Sequence, residues 1–227
     1  MKAKLLFLFP ILALACACNA NQNQSSSNQE GGESQSGDQS TSYDPEQLDI
    51  VNIAVSGETF MSAFSQGTNF DGSSNEGNRT NLKNYFNRDV TIVDSLSVTG
   101  KVTAQKYDLL QSKHALTIGS GASAGELSLN FTKTVVKIEV NAQSYWQTYN
   151  SGCFYDLDSK LKVTAGNANQ QLDLLATSPK GDNRDENNTY ATGTLSLNCQ
   201  STSAKFENLV DEYGRVTLLS ISLTYVK

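Results

Sequence analysis

Aromatic side chains crowd one short stretch of this chain. Five aromatic residues lie between positions 145 and 155, with polar side chains among them. Aromatic faces stack on sugar rings, while phenol and amide groups supply hydrogen bonds that orient a ligand. The stretch predicts either a glycan-binding surface or a set of rings that merely covers the rim of a sheet. The binding candidates are Tyr145, Trp146, Gln147, Tyr149 and Tyr155.

A second stretch, SPKGDNRDENN at residues 178–188, is dense in oxygen ligands. Asp182, Asp185 and Glu186 are hard ligands of the kind that Ca²⁺ prefers. Lys180 and Arg184 offset these carboxylates, and the spacing of a helix-loop-helix calcium site is missing. The stretch therefore predicts either a weak calcium site or a solvated loop, and no other cofactor is expected.

The sequence contains few of the residues that a hydrolytic enzyme would need. His114 is the single histidine, beside a predicted strand, and it is expected at the surface. No HExxH or CxxC motif occurs. Asp156 and Asp158 stand two apart on one strand, so they would lie side by side and not across a glycosidic bond. The glycine-rich run 119–125 links two strands and opens no helix, so it does not cradle phosphate. The prediction is a protein that is not an enzyme.

Two of the four cysteines, Cys153 and Cys199, lie in the second half of the chain. Outside the cytoplasm such a pair can oxidise, closing a loop of about 45 residues and stabilising the fold by roughly 3 to 4 kcal/mol. The alternative is two separate thiols that act as small buried hydrophobic groups.

The other two cysteines follow a leader with the features of an export signal. Lys2 and Lys4 precede an apolar run that is too short to span a bilayer. The sequence LALAC, ending at Cys16, resembles the bacterial lipobox, in which small residues admit the peptidase and the thiol receives a diacylglycerol. Cys18 is the alternative attachment site, and a plain secretory leader is the alternative to a lipoprotein signal. Acyl chains such as palmitate at this cysteine would hold the protein at the outer side of a bacterial cell membrane.

Residues 16–42 follow as a run of Asn, Gln, Ser and Gly with hardly an apolar side chain. Such a composition cannot bury enough surface to fold, so it predicts a disordered tether. The predicted organisation is a signal peptide at 1–15, the tether at 16–42 and one folded domain at 43–227.

Period-two alternation of apolar residues dominates that domain and predicts strands. At the C-terminus the alternation of Val216 and Leu218 slips by one residue at Leu219, as it does across a β-bulge. Residues 57–89 are less regular and predict a long surface connection with one or two helical turns. The predicted fold is all-β, a single antiparallel two-sheet sandwich of jelly-roll type.

Several segments also resemble a known family. The motifs are ALTIGSGASAGELSLNF at 115–131, KTVVKIEVNAQSYW at 133–146, KLKVTAG at 160–166 and GRVTLLSISLTY at 214–225. They are similar to the accessory β-sandwich domain of surface lipoproteins and secreted nucleases in low-GC Gram-positive bacteria and mollicutes. The resemblance covers about half of the chain. It implies the fold and a surface setting, and it carries no catalytic residue.

The net charge of the chain limits the classes of molecule that it is expected to bind. Without Lys2 and Lys4 of the leader, 15 basic and 23 acidic residues leave a net charge of −8, which disfavours binding to nucleic acid. Together these features predict a lipid-anchored surface protein whose domain binds a glycan or a protein on another surface. The alternatives are a structural or antigenic coat lipoprotein and, last, a surface hydrolase. The sequence does not indicate an oligomeric state.

Overall fold

Antiparallel strands dominate the computed structural model, which describes residues 43–107, 112–120, 123–149, 153–156, 158–175, 191–209 and 215–227. The predicted all-β class is confirmed. None of the helices in these ranges is long and apolar enough to cross a bilayer. The α-helices are α1 (Gly57–Ala63) and α2 (Glu76–Phe86), and single 3-10 turns occupy Pro45–Gln47 and Ser73–Asn75. The strands are β1 (Leu48–Ala54), β2 (Val93–Gly100), β3 (Val102–Lys106), β4 (His114–Ile118), β5 (Gly125–Ser144), β6 (Trp146–Tyr149), β7 (Cys153–Asp156), β8 (Ser159–Ala165), β9 (Ala168–Leu174), β10 (Thr192–Asn208) and β11 (Val216–Val226).

Nine of these strands belong to one antiparallel sheet, in the order β3-β4-β11-β5-β10-β8-β9. β1 pairs with β11 and β2 pairs with β5, off this path. β6 and β7 form a separate two-stranded ribbon that begins two residues after β5 ends. The C-terminal strand β11 contacts β1, β4 and β5, so it is central to the sheet as its strong alternation indicates.

The sheet bends along the long strands β5 and β10, and this bend is here named the corner. Their register shifts twice between Asn198 and Ser203 of β10, where residues 131–134 of β5 stand opposite Thr202. Before this corner β5 pairs with β2, and after it β5 pairs with β11. Extra residues in one strand bend it and increase its twist. The layers of the predicted sandwich are therefore parts of one curled sheet.

The predicted bulge at Leu219 is confirmed. In the pairing of β11 with β5, Leu218 opposes Ala142 and Ser220 opposes Asn141, which leaves Leu219 as the extra residue. Its carbonyl oxygen accepts hydrogen bonds from the Val55 N–H at 3.1 Å and the Ser56 hydroxyl at 2.9 Å. The bulge thus lies where β11 exchanges one neighbour, β4, for another, β1.

Residues 57–89 differ from the predicted surface connection, because they fold into α1 and α2 and pack into the core. Phe60, Leu82 and Phe86 are fully buried. The rings of Phe60, Phe64, Phe70 and Tyr85 lie 5.0 to 5.6 Å apart between centroids. Each buried ring contributes roughly 1.5 to 3 kcal/mol through removal from water, which explains why this segment holds to the sheet.

Candidate functional site

One polar cluster among the described residues consists of Tyr145, Arg215 and Gln105. The Arg215 guanidinium carbon lies 4.3 Å from the centre of the Tyr145 ring. Tyr145 Oη and Arg215 Nη1 each donate a hydrogen bond to Gln105 Oε1, both at 3.1 Å. A cation over an aromatic face contributes about 0.5 to 2 kcal/mol, depending on its exposure to water. The shared amide oxygen and the stacking together hold the guanidinium in place.

These three residues come from three separate strands. Tyr145 directly follows β5 and Arg215 directly precedes β11, next to the register pair Ser144 and Val216. Gln105 lies on β3, and both β4 and β11 stand between β3 and β5 in the sheet. Contact across two intervening strands requires the sheet to curl, with this face on the concave side.

A second contact supports the same curl. Gln143 Nε2, on β5, donates to the carbonyl oxygen of Tyr107 at 3.2 Å, and Tyr107 follows β3. Tyr107, just after β3, thus lies over the face of β5.

Inside the curl, polar side chains form a row across four neighbouring strands. Thr103 pairs with Thr117, Thr117 with Thr217, and Thr217 with Gln143. Cross-strand partners share one face of a sheet, so these four residues form one group, here named the polar row. The three threonines are at most 1% exposed and Gln143 is 6% exposed. The alternating residues on the other face, such as Leu116 and Leu218, belong to the hydrophobic core.

The polar row contains hydrogen-bonding groups that the described part of the chain leaves unpaired. The hydroxyls of Thr103, Thr117 and Thr217 are buried there without a partner, and so is Arg215 Nε. A buried polar group without a hydrogen bond costs about 1 to 3 kcal/mol, and native proteins contain only a few. Four such groups at one curl are therefore a costly arrangement.

Electrostatics within the cluster favour Tyr145 as a donor. Burial raises the pKa of the Tyr145 phenol, and the nearby positive charge of Arg215 opposes part of that rise. The net increase keeps the phenol protonated well above neutral pH, so it continues to donate to Gln105.

Tyr145 is the one predicted aromatic candidate whose side chain is among the described residues. The backbone of the other candidates forms the β6-β7 ribbon. Gln147 stands opposite Tyr155, Tyr149 opposite Cys153, and Trp146 opposite Asp156. The side chains of Trp146, Gln147, Tyr149 and Tyr155 lie outside the described residues, so their role in binding stays a prediction.

Cys199 has a free thiol in the structure, whereas the side chain of Cys153 lies outside the described residues, so the pairing of these two cysteines stays a prediction. The thiol donates a weak hydrogen bond to the Val135 carbonyl oxygen at 3.5 Å. Burial raises the pKa of this thiol to about 11. Cys199 follows Asn198, at the first of the two register shifts of β10.

His114 is buried, which corrects the prediction of a surface histidine. It begins β4, opposite Lys106 of β3, and its Nδ1 atom has no hydrogen-bond partner among the described residues. The Asp156 side chain lies outside the described residues and Asp158 is exposed, so the geometry of that carboxylate pair is not defined.

Other predicted sites fall outside the described residues. They are the lipid-bearing Cys16 or Cys18 and the calcium candidates Asp182, Asp185 and Glu186. Within the described ranges, no three His, Cys, Asp or Glu side chains are grouped closely enough to hold a metal ion.

Sequence reasoning missed Arg215, Gln105 and the polar row, although a signal was present. Three segments repeat a threonine between two apolar residues: Val102-Thr103-Ala104, Leu116-Thr117-Ile118 and Val216-Thr217-Leu218. Alternation assigns each threonine to the face away from the core. The strand order shows that the three threonines are neighbours in the sheet. Their burial is visible only in the folded structure.

Comparison with known proteins gives no family for the chain. No family model matches it, and no curated protein matches it. The resemblance to the accessory domain of surface lipoproteins and nucleases therefore stays a prediction.

Solved structures of low similarity include three carbohydrate-binding modules. The CBM36-1 domain of a multidomain xylanase, from the hindgut metagenome of Trinervitermes trinervoides, is 9% identical with a TM-score of 0.33, covering 59% of this chain and 93% of its own. A mutant of the family 29 module CBM29-2 is 12% identical with a TM-score of 0.31, covering 59% and 81%. TmCBM61, in complex with β-1,4-galactotriose, is 12% identical with a TM-score of 0.33, covering 60% and 92%. Similarity at this level establishes no ligand for this chain.

Proposed function

We propose that this chain is a lipid-anchored protein of the bacterial cell surface whose β-domain binds a glycan without catalysis. The observation that carries the binding proposal is the polar row, with its three buried hydroxyls that the described residues leave unpaired, beside the Tyr145 and Arg215 cluster. Sugar hydroxyls both donate and accept hydrogen bonds, and threonine hydroxyls do the same. A glycan therefore matches the chemistry of this face.

The proposal extends to the β6-β7 ribbon. The ribbon starts directly after Tyr145 and carries the aromatic residues predicted to stack on sugar rings. Residues two apart in a strand share a face, so the register assigns positions 147, 149 and 155 to one face and position 146 to the other. One face of the ribbon would thus extend the concave surface, and a site of this kind needs no catalytic group.

The second candidate function is a coat lipoprotein without a dedicated ligand. Two observations favour it: the acidic net charge of −6, which keeps a surface protein soluble, and the burial of the polar row beneath other parts of the chain. In that case the unpaired hydroxyls have no role in binding.

An experiment that removes hydroxyl groups from the polar row, with little change in side-chain shape, distinguishes the two functions. In the variant Thr117→Val/Thr217→Val, we expect binding on a broad glycan array to fall by about tenfold or more, since each lost hydrogen bond contributes about 0.5 to 1.5 kcal/mol. We also expect the melting temperature to stay equal or rise, because two unpaired buried hydroxyls disappear. The array uses the full chain in detergent, with and without calcium.

The matched control is Thr192→Val, which makes the same change at an exposed position of β10. Glycan binding by wild type and control, lost in the double variant at unchanged or higher stability, supports the proposal. Failure of the folded wild type to bind any glycan refutes it and favours the coat function.

The lipid anchor has an independent test. Mass spectrometry of the mature N-terminus is expected to find a diacylglycerol-modified Cys16, or Cys18 as the alternative. An unmodified terminus at Ala17 or Asn19 would contradict anchoring and leave a secreted protein.

A further inference from the structure

Within the described part of the chain, the Arg215 guanidinium lacks the carboxylate that a half-buried arginine usually has. Ion pairs among the described residues involve Arg88, Lys101, Lys137 and Lys205, and none includes Arg215. Its side-chain contacts there include the Tyr145 ring, the Tyr145 phenol and the Gln105 amide oxygen, all of them neutral. The positive charge therefore stands beside neutral, half-buried polar groups.

The Nε side of an arginine guanidinium can bind a carboxylate. Gln105 Oε1 occupies Nη1, whereas Nε is buried and has no acceptor among the described residues. The Nε–H and Nη2–H groups form a planar fork that can donate two parallel hydrogen bonds to one carboxylate. Stacking on Tyr145 holds the plane of the guanidinium and so preorganises its donors.

From this geometry we infer that Arg215 binds the carboxylate of a sugar acid, so that the glycan bound at the polar row is acidic. The inference rests on the proposed function and gives its ligand a chemical class. The carboxylate takes the fork of Arg215, and the hydroxyls of the same sugar or its neighbour pair with the polar row. The net charge of −6 opposes long-range attraction of polyanions, so selectivity arises from this local contact.

The structure also provides a matched control arginine. The Arg88 guanidinium carbon lies 4.6 Å from the centre of the Tyr85 ring, much as Arg215 lies over Tyr145. Arg88 Nε, however, already donates to Asp89 at 3.0 Å. Substituting Arg88 removes a stacked arginine that has its own carboxylate, and it should leave ligand selectivity unchanged.

The test measures binding of D-glucuronate and short oligogalacturonates, beside glucose and galactose oligomers of equal length, by calorimetry with the full chain in detergent. We expect wild type to prefer acidic over neutral sugars by about 10- to 100-fold, the range for hydrogen bonds to a charged group. Arg215→Lys keeps the charge but loses the fork, and it should lose most of that preference. Arg215→Gln should lose all of it, whereas Arg88→Lys should retain it.

The outcomes separate the inference from the proposed function. Equal binding of neutral and acidic sugars, unchanged in both Arg215 variants, overturns the sugar-acid assignment but leaves glycan binding intact. Absence of binding to every sugar overturns both. Acetate binding as tightly as glucuronate would show a general anion site and also overturn the assignment. If Arg215→Gln fails to fold, Arg215→Lys decides the question, because it preserves charge and most of the packing.

Discussion

At the residue scale, the properties of this protein depend on where single polar groups lie within strands. Thr117 and Thr217 have the same local sequence pattern as a solvent-facing threonine, yet both are fully buried. Tyr145 similarly differs from the other aromatic candidates because its hydroxyl and its ring both have defined partners, Gln105 and Arg215. The difference in each case comes from a neighbour on another strand.

Cys199 leads to a prediction at this scale. Burial raises the pKa of its thiol to about 11, so almost none of it is thiolate at about pH 7.5. We expect the folded protein to react slowly with iodoacetamide near neutral pH, faster as the pH approaches 11, and fast once urea unfolds it. Alkylation followed by peptide mass spectrometry measures these rates. Detection of a Cys153–Cys199 disulfide in an unreduced digest would contradict the free thiol.

At the element scale, the alternation of apolar residues predicted most strands. The register shifts in β5 and β10 determine which residues of these strands face the core. Ile138, Val140 and Ala142 of β5 are fully buried at alternate positions, but before them Val135 and not Val136 is fully buried. The reason is the corner of β5, where residues 131–134 stand opposite a single residue of β10. The helical segment also depends on tertiary packing. The helices α1 and α2 are short, and contacts between their aromatic rings stabilise them.

Glycine substitutions test how closely these elements approach. A side chain at Gly125, where β5 begins, would overlap the Lys101 carbonyl oxygen, which also accepts a hydrogen bond from the Gly119 N–H at 2.8 Å. We expect Gly125→Ala to lower the free energy of unfolding by about 2 kcal/mol or more, because backbone must move. Urea denaturation followed by circular dichroism measures the change.

Gly77→Ala is the matched control for this substitution. Gly77 lies in α2, and an added methyl group meets nothing within 4 Å. We expect this variant to be more stable by about 0.4 to 1 kcal/mol, since alanine restricts the unfolded chain and favours the helix. Equal effects of the two substitutions would contradict the close packing assigned to Gly125.

At the scale of the whole molecule, buried titratable groups predict how stability changes with pH. Burial is the largest cause of the raised pKa values of Tyr85, Tyr145 and Cys199. A group whose pKa is higher in the folded state binds its proton more tightly there. Its contribution to stability is complete below the pKa of the unfolded chain and is lost as the pH rises through the folded value.

We therefore expect the melting temperature to fall as the pH rises from about 9 to 11, the window set by the thiol. Thermal melts followed by circular dichroism, from about neutral pH to the top of this window, measure the fall. Cys199→Ser should reduce the slope in that window, because its hydroxyl does not titrate there. A melting temperature that stays constant throughout would be inconsistent with the burial of these groups.

The sequence by itself determined the properties that depend on neighbours along the chain. Alternation predicted the all-β class and placed the bulge at Leu219, because side-chain period and phase are local features. Composition and the residues around Cys16 predicted the leader, the tether and the lipid anchor, and the aromatic stretch directed attention to Tyr145.

Only the tertiary structure decided which residues meet. Thr103, Thr117, Thr217 and Gln143 come from four strands that are distant in sequence, and their alignment requires both the strand order and the register. The contact of Gln105 with Arg215 requires in addition a curl that brings β3 over β11. Strand order, register and curl arise from packing of the whole sheet, so no local pattern contains them. For this physical reason the arginine and the polar row emerge as a site only in the folded chain.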